Sequence, residues 1–155
     1  MTRKKRPSVL TLERFLPYRL SILSNLISGM IAETYKDKFA LSITEWRIMA
    51  VLGEYPGASA DEVSAKIQIE KSIVSRALQK LLARHLVDRQ VDEADRRRQN
   101  LKLTKTGLDI YHQVVPVSYD YEDQLQACFS KQEIDVFNGL IDRLYKHAET
   151  IEVDS

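Results

Sequence analysis

The sequence predicts a mainly α-helical protein with one small β-hairpin. Three observations lead there. Ser and Thr stand at several helix-start positions, three of them followed at the third residue by Glu. Apolar residues recur at helical spacing near both ends of the chain. Between them lie two short strand-like pieces, Leu86 to Val91 and Asn100 to Leu103, on either side of the charged run DEADRRRQN.

The elements follow in order. Residues 1–8, MTRKKRPS, form a basic arm with Arg3, Lys4, Lys5 and Arg6 and no acid; no hydrophobic region follows that would make a secretory leader. A long helix is expected over about 10 to 38, with Leu20, Leu23, Ile27, Met30, Ile31 and Tyr35 at helical spacing. Pro17 lacks an amide donor, which predicts a kink or a break there. Helices near 44–54, 60–66 and 70–84 come next. Ser42-Ile-Thr-Glu45, Ser59-Ala-Asp-Glu62 and the later Ser130-Lys-Gln-Glu133 fit the capping box, in which Ser and Glu reciprocally satisfy orphan amides. Pro56-Gly57 marks a turn. DEADRRRQN reads as the hairpin tip. Thr104 supplies a fourth cap, for a helix over about 105 to 128. A last helix gathers Ile134, Phe137, Leu140, Ile141, Leu144, Tyr145 and Ala148 on one stripe.

Composition narrows the function. The 155 residues are 44% apolar, enough for a core in one domain or two small lobes. No apolar run approaches the ~18–20 residues of a membrane span. The single cysteine, Cys128, excludes an internal disulfide and fits a cytoplasmic setting. There is no CxxC, HExxH or phosphate-binding glycine pattern, so neither a metal nor another cofactor is expected. His85, His112 and His147 are scattered, and no nucleophile and base stand at a recognisable spacing, which argues against an enzyme. The net charge of +1 hides an asymmetry. Residues 84–105 hold seven Lys/Arg against four acids, and residues 107–155 hold three against ten. That distribution suits a basic portion meeting a polyanion and an acidic end that does not.

The segment ADEVSAKIQIEKSIVSRALQKLLARHLV has the helix–turn–helix outline. At 100° per residue, Val74, Ala77, Leu78, Leu81 and Leu82 gather on one side of its second helix. Ser72, Ser75, Arg76, Gln79, Lys80 and Ala83 gather on the other. Any amphipathic surface helix shares that outline. This polar face, however, has no acid between Lys71 and Arg84, and an arginine-tipped hairpin follows directly. The combination is a winged helix–turn–helix.

Several pieces together resemble the MarR family of transcription regulators: Leu41-Ser-Ile-Thr-Glu-Trp46-Arg47, Ser72-Ile-Val-Ser-Arg76, Leu86-Val87-Asp88-Arg89, Asp95-Arg96-Arg97 and Leu103-Thr104-Lys105-Thr106-Gly107. Their order and spacing match from about residue 12 to 148. One departure is His85, where the family usually has glycine. That position ends the recognition helix and often needs a positive φ, which His tolerates better than most residues.

The resemblance implies a winged helix–turn–helix domain over 41–106, a helical dimerisation region from 9–40 and 107–150, and a tail at 151–155. It implies a homodimer with Leu12, Phe15, Phe137, Leu140 and Leu144 at the dimer surface; stripes folding back within one chain are the alternative. A two-fold dimer would read double-stranded DNA at a pseudo-palindromic operator with half-sites about one turn apart. On the recognition helix, Ser72, Ser75, Arg76 and Gln79 are expected to face the major groove, and Lys71 and Lys80 to meet phosphates. The family's Asp-x-Arg pattern falls on Asp95 and Arg97. The resemblance implies that Arg97 enters the minor groove while Asp95 holds it in position. Arg96 and Arg98 are then expected to flank the groove at phosphates, Asp92 and Glu93 have no assigned role, and a merely solvated tip is the alternative.

Relatives often sense small aromatic acids, phenols or related metabolites, so the expected effector is a small aromatic acid or its thioester. Tyr18, Arg19, Trp46 and Arg47 are the candidate lining residues, with core buttressing by Trp46 and Arg47 as the alternative. The resemblance makes repression the commoner outcome. Cys128 is expected to be a small buried hydrophobe rather than a redox switch. The rival function is a winged-helix module that binds protein without DNA.

Overall fold

The computed structural model describes residues 7–153. The arm residues Arg3, Lys4, Lys5 and Arg6 and the last two residues of the tail lie outside the described residues. A 3₁₀ turn at Leu12–Arg14 precedes α1 (Leu16–Phe39), α2 (Ile43–Glu54), α3 (Ala60–Ile67) and α4 (Lys71–Ala83). An antiparallel hairpin of β1 (Val87–Val91) and β2 (Gln99–Leu103) follows, then α5 (Lys105–Gln126) and α6 (Lys131–Ala148). The mainly helical fold with one small hairpin is as the sequence predicts. No helix of the described residues is long and apolar enough to cross a membrane.

Pro17 causes no mid-helix kink. The chain breaks just before it: Phe15 is extended, and Pro17 lies in the first turn of α1, where a missing amide costs nothing. Ser59 and Ser130 make complete capping boxes. Ser42 makes half of one. Its hydroxyl accepts the Glu45 amide at 3.1 Å, but the Glu45 carboxylate is buried and turned to Arg84, 3.7 Å away. Thr104 caps α5 by accepting the Gly107 amide at 3.0 Å while donating to the His85 carbonyl at 2.7 Å.

The chain divides into two compact units, Met1–Val115 and Pro116–Ser155. The division falls inside α5 at Pro116, which supplies no amide for the helical bond four residues back. The core of the first unit gathers Tyr35 from α1, Ile48, Met49 and Leu52 from α2, Val63 from α3, and Val74, Leu78 and Leu81 from α4. Leu86, Val87, Leu101 and Leu103 close it from the hairpin side. Each such side chain stabilises the fold by about 1.5–3 kcal/mol through burial. Gly107 has a packing reason, since a Cβ there would collide with the Leu86 carbonyl. In the second unit, Phe129 stacks on Phe137 with ring centroids 5.6 Å apart, and α6 buries no residue.

The hairpin pairs Val87 with Leu103, Arg89 with Leu101 and Val91 with Gln99. The α2–α3 linker adds a rung on the other side of β2: the Gly57 amide donates to the Leu101 carbonyl at 2.8 Å, and the Leu101 amide to the Ala58 carbonyl at 3.0 Å. The wing is thereby fixed to the helices that carry it.

Candidate nucleic-acid interface

The turn between α3 and α4 sets the pose of α4, the expected recognition helix. Gln68 takes a left-handed conformation, with φ 54°. Buried Ser64 donates its hydroxyl to the Ile69 carbonyl at 2.6 Å, so the turn is held from inside. On α4, Val74, Ala77, Leu78 and Leu81 are buried and Leu82 half-buried. Ser72, Ser75, Arg76, Gln79 and Lys80 are exposed. The predicted polar face is therefore the solvent-facing side of α4. Ile73 is exposed beside it, an apolar group that the sequence reading left unassigned. Lys71 is not a free cation, because its ammonium sits 3.2 Å from Asp61 on α3.

The end of α4 is built for a sharp exit. The Leu86 amide donates to the Leu81 carbonyl and the His85 amide to the Leu82 carbonyl, both at 3.0 Å, with His85 at φ 55°. This is the Schellman pattern with His85 in the place glycine favours, as expected from the sequence. Arg84, which the sequence reading gave no role, reaches 45 residues back. Its guanidinium donates to the carbonyls of Phe39 at 2.6 Å and Ala40 at 2.9 Å, besides pairing with Glu45. The last carbonyls of α1 and the base of α4 are joined by one side chain.

The wing tip is ordered by its acids. The Asp92 carboxylate accepts the amides of Ala94 at 2.8 Å and Asp95 at 3.3 Å. Those bonds hold its carboxyl below the ordinary carboxylate range, assisted by Asn100 and the charge of Arg98 against partial desolvation. Asp92 thus acquires a role as the first brace of the turn. Asp95 accepts the Arg97 amide at 3.0 Å. It fixes the main chain of Arg97; the expected hold on the arginine is made there and not at the guanidinium. Arg96 and Arg97 are exposed.

Arg98 departs from the expectation of a phosphate contact. Its guanidinium meets both carboxylate oxygens of Glu62, at 2.9 and 3.1 Å, and its Nε donates to Asn100 Oδ1 at 3.1 Å. Its charge is committed within the protein, because the tip folds back over the start of α3.

The four candidate ligand residues have different surroundings. Trp46 is a core buttress, 5.6 Å from the Tyr35 ring and 6.0 Å from that of Tyr111. Arg47 donates to the Ser28 hydroxyl at 3.2 Å. Tyr18 and Arg19 are exposed on the first turns of α1. A cavity beside the start of α2 is lined instead by Gly29, Ala32, Glu33, Lys36 and Leu41–Thr44. Cys128 is exposed, not buried, because it falls in the turn after α5. No group of His, Cys, Asp and Glu among the described residues could hold a metal ion.

The MarR family profile matches residues 41–98, from just before α2 to the wing tip. A curated relative, the transcriptional regulator PecS of Dickeya dadantii, is 28% identical over 83% of this chain and 78% of its own length. The chain is thus similar to MarR-family regulators, through the profile match over 41–98 and through PecS over most of its length. Solved MarR-family structures share the fold across nearly the whole chain. A MarR/EmrR family regulator from Acinetobacter superposes with a TM-score of 0.84 at 25% identity, covering 92% of this chain and all of that one. The PcaV regulator of Streptomyces coelicolor, solved in complex with its natural ligand, gives 0.76 at 20% identity over 92% of this chain and 99% of its own. MarR-family proteins are transcriptional regulators rather than enzymes.

Proposed function

We propose that this chain is a MarR-family regulator, a homodimer that binds double-stranded DNA sequence-specifically at an inverted-repeat operator, represses from it, and is released by a small aromatic acid or its thioester. A cytoplasmic setting goes with that role. The observation that carries the reading is the pairing of an acid-free, exposed polar face on α4 with an ordered wing presenting Arg96 and Arg97. Ser72, Ser75, Arg76 and Gln79 read base edges, Lys80 and Arg96 meet phosphates, and Arg97 enters the minor groove. Ordering the Arg97 backbone in advance lowers the entropy lost on insertion.

The dimer is supported by apolar side chains that the single chain leaves in solvent. Leu12, Phe15, Phe137, Leu140 and Leu144 are all exposed, and α6 carries its whole stripe unburied. A face of that kind on a stable protein is covered by a partner, here a second copy. We assign 9–40 and 107–150 to dimerisation and 41–106 to DNA binding. In the effector reading, Tyr18 and Arg19 are the groups that stay open to a ligand.

The test is a gel shift on the chain's own upstream region, across a salt series and with a panel of aromatic acids and their thioesters. Phosphate contacts make log K fall with log salt at about −0.9 per contact. A flat dependence, or no shift, favours a protein-binding module and refutes the DNA reading. Release by one compound of the panel identifies the effector class.

A further inference from the structure

The wing of this chain is tied to the helix–turn–helix by a side-chain network that the Asp-x-Arg pattern does not contain. At its centre is Arg98. One arm reaches Glu62 on α3, and Nε reaches Asn100 on β2. Glu62 is itself fixed, because Oε2 also accepts the Ser59 amide at 3.0 Å as the return half of the α3 capping box. On the far side, Asn100 and Arg98 act on Asp92, which braces the tip through the Ala94 and Asp95 amides. The chain of contacts runs from the N-cap of α3 to the turn that presents Arg97.

We infer that Arg98 and Glu62 are positioning residues for DNA binding: their ion pair holds the wing tip against α3 so that Arg97 is presented at a fixed height, and Arg98 does not itself neutralise a phosphate. The inference rests on the DNA-binding reading above. Three physical points favour it. One guanidinium nitrogen, Nη2, reaches both Glu62 oxygens while Nε of the same group is held by Asn100, so the planar group is fixed at two points, as a single ammonium is not. Both partners are held from behind, Glu62 by the cap and Arg98 by Asn100, so less side-chain entropy is lost in keeping the pair. An acid placed on the face that meets a polyanion is costly unless it is used, and Glu62 is used twice.

Two conservative variants separate positioning from charge. Glu62→Gln keeps an oxygen for the Ser59 amide but removes the charge facing Arg98. Counting charges, loss of an acid should tighten DNA binding; the positioning role has it weaken by about two- to five-fold, the range an exposed pair supports. Arg98→Lys keeps the charge but loses the Nε bond to Asn100 and with it the two-point hold on the side chain. A phosphate contact survives that change, whereas a tie does not. The double variant should be no weaker than either single, since both break one interaction. The urea midpoint of all three should stay within about 0.5 M of the unmodified protein, the shift that loss of one exposed pair allows, which excludes general destabilisation. A DNA-free readout is trypsin cleavage after Arg96, Arg97 and residue 98, expected to be faster in each variant.

Glu62→Gln that binds as tightly as the unmodified chain, or Arg98→Lys that binds equally well, overturns the proposal. Unchanged trypsin cleavage overturns the tie even where DNA binding holds. Absence of DNA binding by the unmodified chain overturns the parent reading and the wing's role with it.

Discussion

Replacing Arg84 by Met should cost this protein about 2–3 kcal/mol. The Arg84 and Glu45 charges lie 3.7 Å apart, with the Glu45 side chain 8% exposed and that of Arg84 38% exposed. At an effective dielectric of 20 their attraction is about 4 kcal/mol, before the desolvation of Glu45 is subtracted. Stranding one partner of a fully buried pair costs about 3–5 kcal/mol, and water reaching the exposed part of Arg84 reduces that figure. The two bonds to the Phe39 and Ala40 carbonyls, at 2.6 and 2.9 Å, add about 1 kcal/mol each where water does not replace them. With a urea slope of about 1–3 kcal/mol per molar, the midpoint should fall by about 0.7–3 M. The assay is equilibrium urea unfolding at fixed protein concentration, since the midpoint of the proposed dimer would depend on it. Adding Glu45→Leu should recover the part of the loss that comes from the stranded carboxylate, because removing both charges leaves none buried alone, while the part from the Phe39 and Ala40 carbonyls remains. A cost below about 0.5 kcal/mol for Arg84→Met, or a double variant whose loss is the sum of the singles, refutes the reasoning.

Three further outcomes are expected. His85→Gly should raise the melting temperature, gaining up to about 1 kcal/mol by relieving the left-handed backbone at φ 55°; an unchanged or lower value in a thermal melt contradicts the Schellman assignment. Asp92 has its pKa lowered on folding, so its contribution is present above the ordinary value of 3.8 and lost as the pH falls below it through the folded pKa. Amide exchange of Ala94 and Asp95, measured by NMR, should quicken relative to the core as pH drops through that window, once corrected for intrinsic rates. Arg76→Ala should relax operator preference by about 1–3 kcal/mol at one base pair in a site-selection assay, while nonspecific binding changes little.

What could be read from the sequence was local. Ser59 and Ser130 lie three residues from the glutamates that complete their caps, and both boxes form. The strands pair where alternation and turn residues place them. The positive φ at His85 was foreseeable because a helix end and a departure from glycine coincide there. What escaped was long-range. Glu45 stands at a capping-box spacing, yet its carboxylate is claimed by Arg84, 39 positions away. Arg98 looks like its neighbours Arg96 and Arg97 until α3 brings Glu62 beside it, 36 positions back. Trp46 read as a ligand residue because its stacking partners, Tyr35 and Tyr111, sit on helices distant in sequence. Charge type is visible in a string of letters, but the ownership of a charge depends on which helix folds over it.

The linker rung on β2 has a consequence for the isolated sheet. With Gly57 and Ala58 occupying one side of β2 and β1 pairing the other, the hairpin is left with a single open margin, the outer side of β1. That margin is five residues long and reads Val-Asp-Arg-Gln-Val. A stranger's strand trying to dock there would have to bury Asp88 and Arg89 against its own side chains, and would gain few main-chain bonds for it. The wing can therefore stand out in solvent with little tendency to zip onto the same strand of a neighbouring molecule.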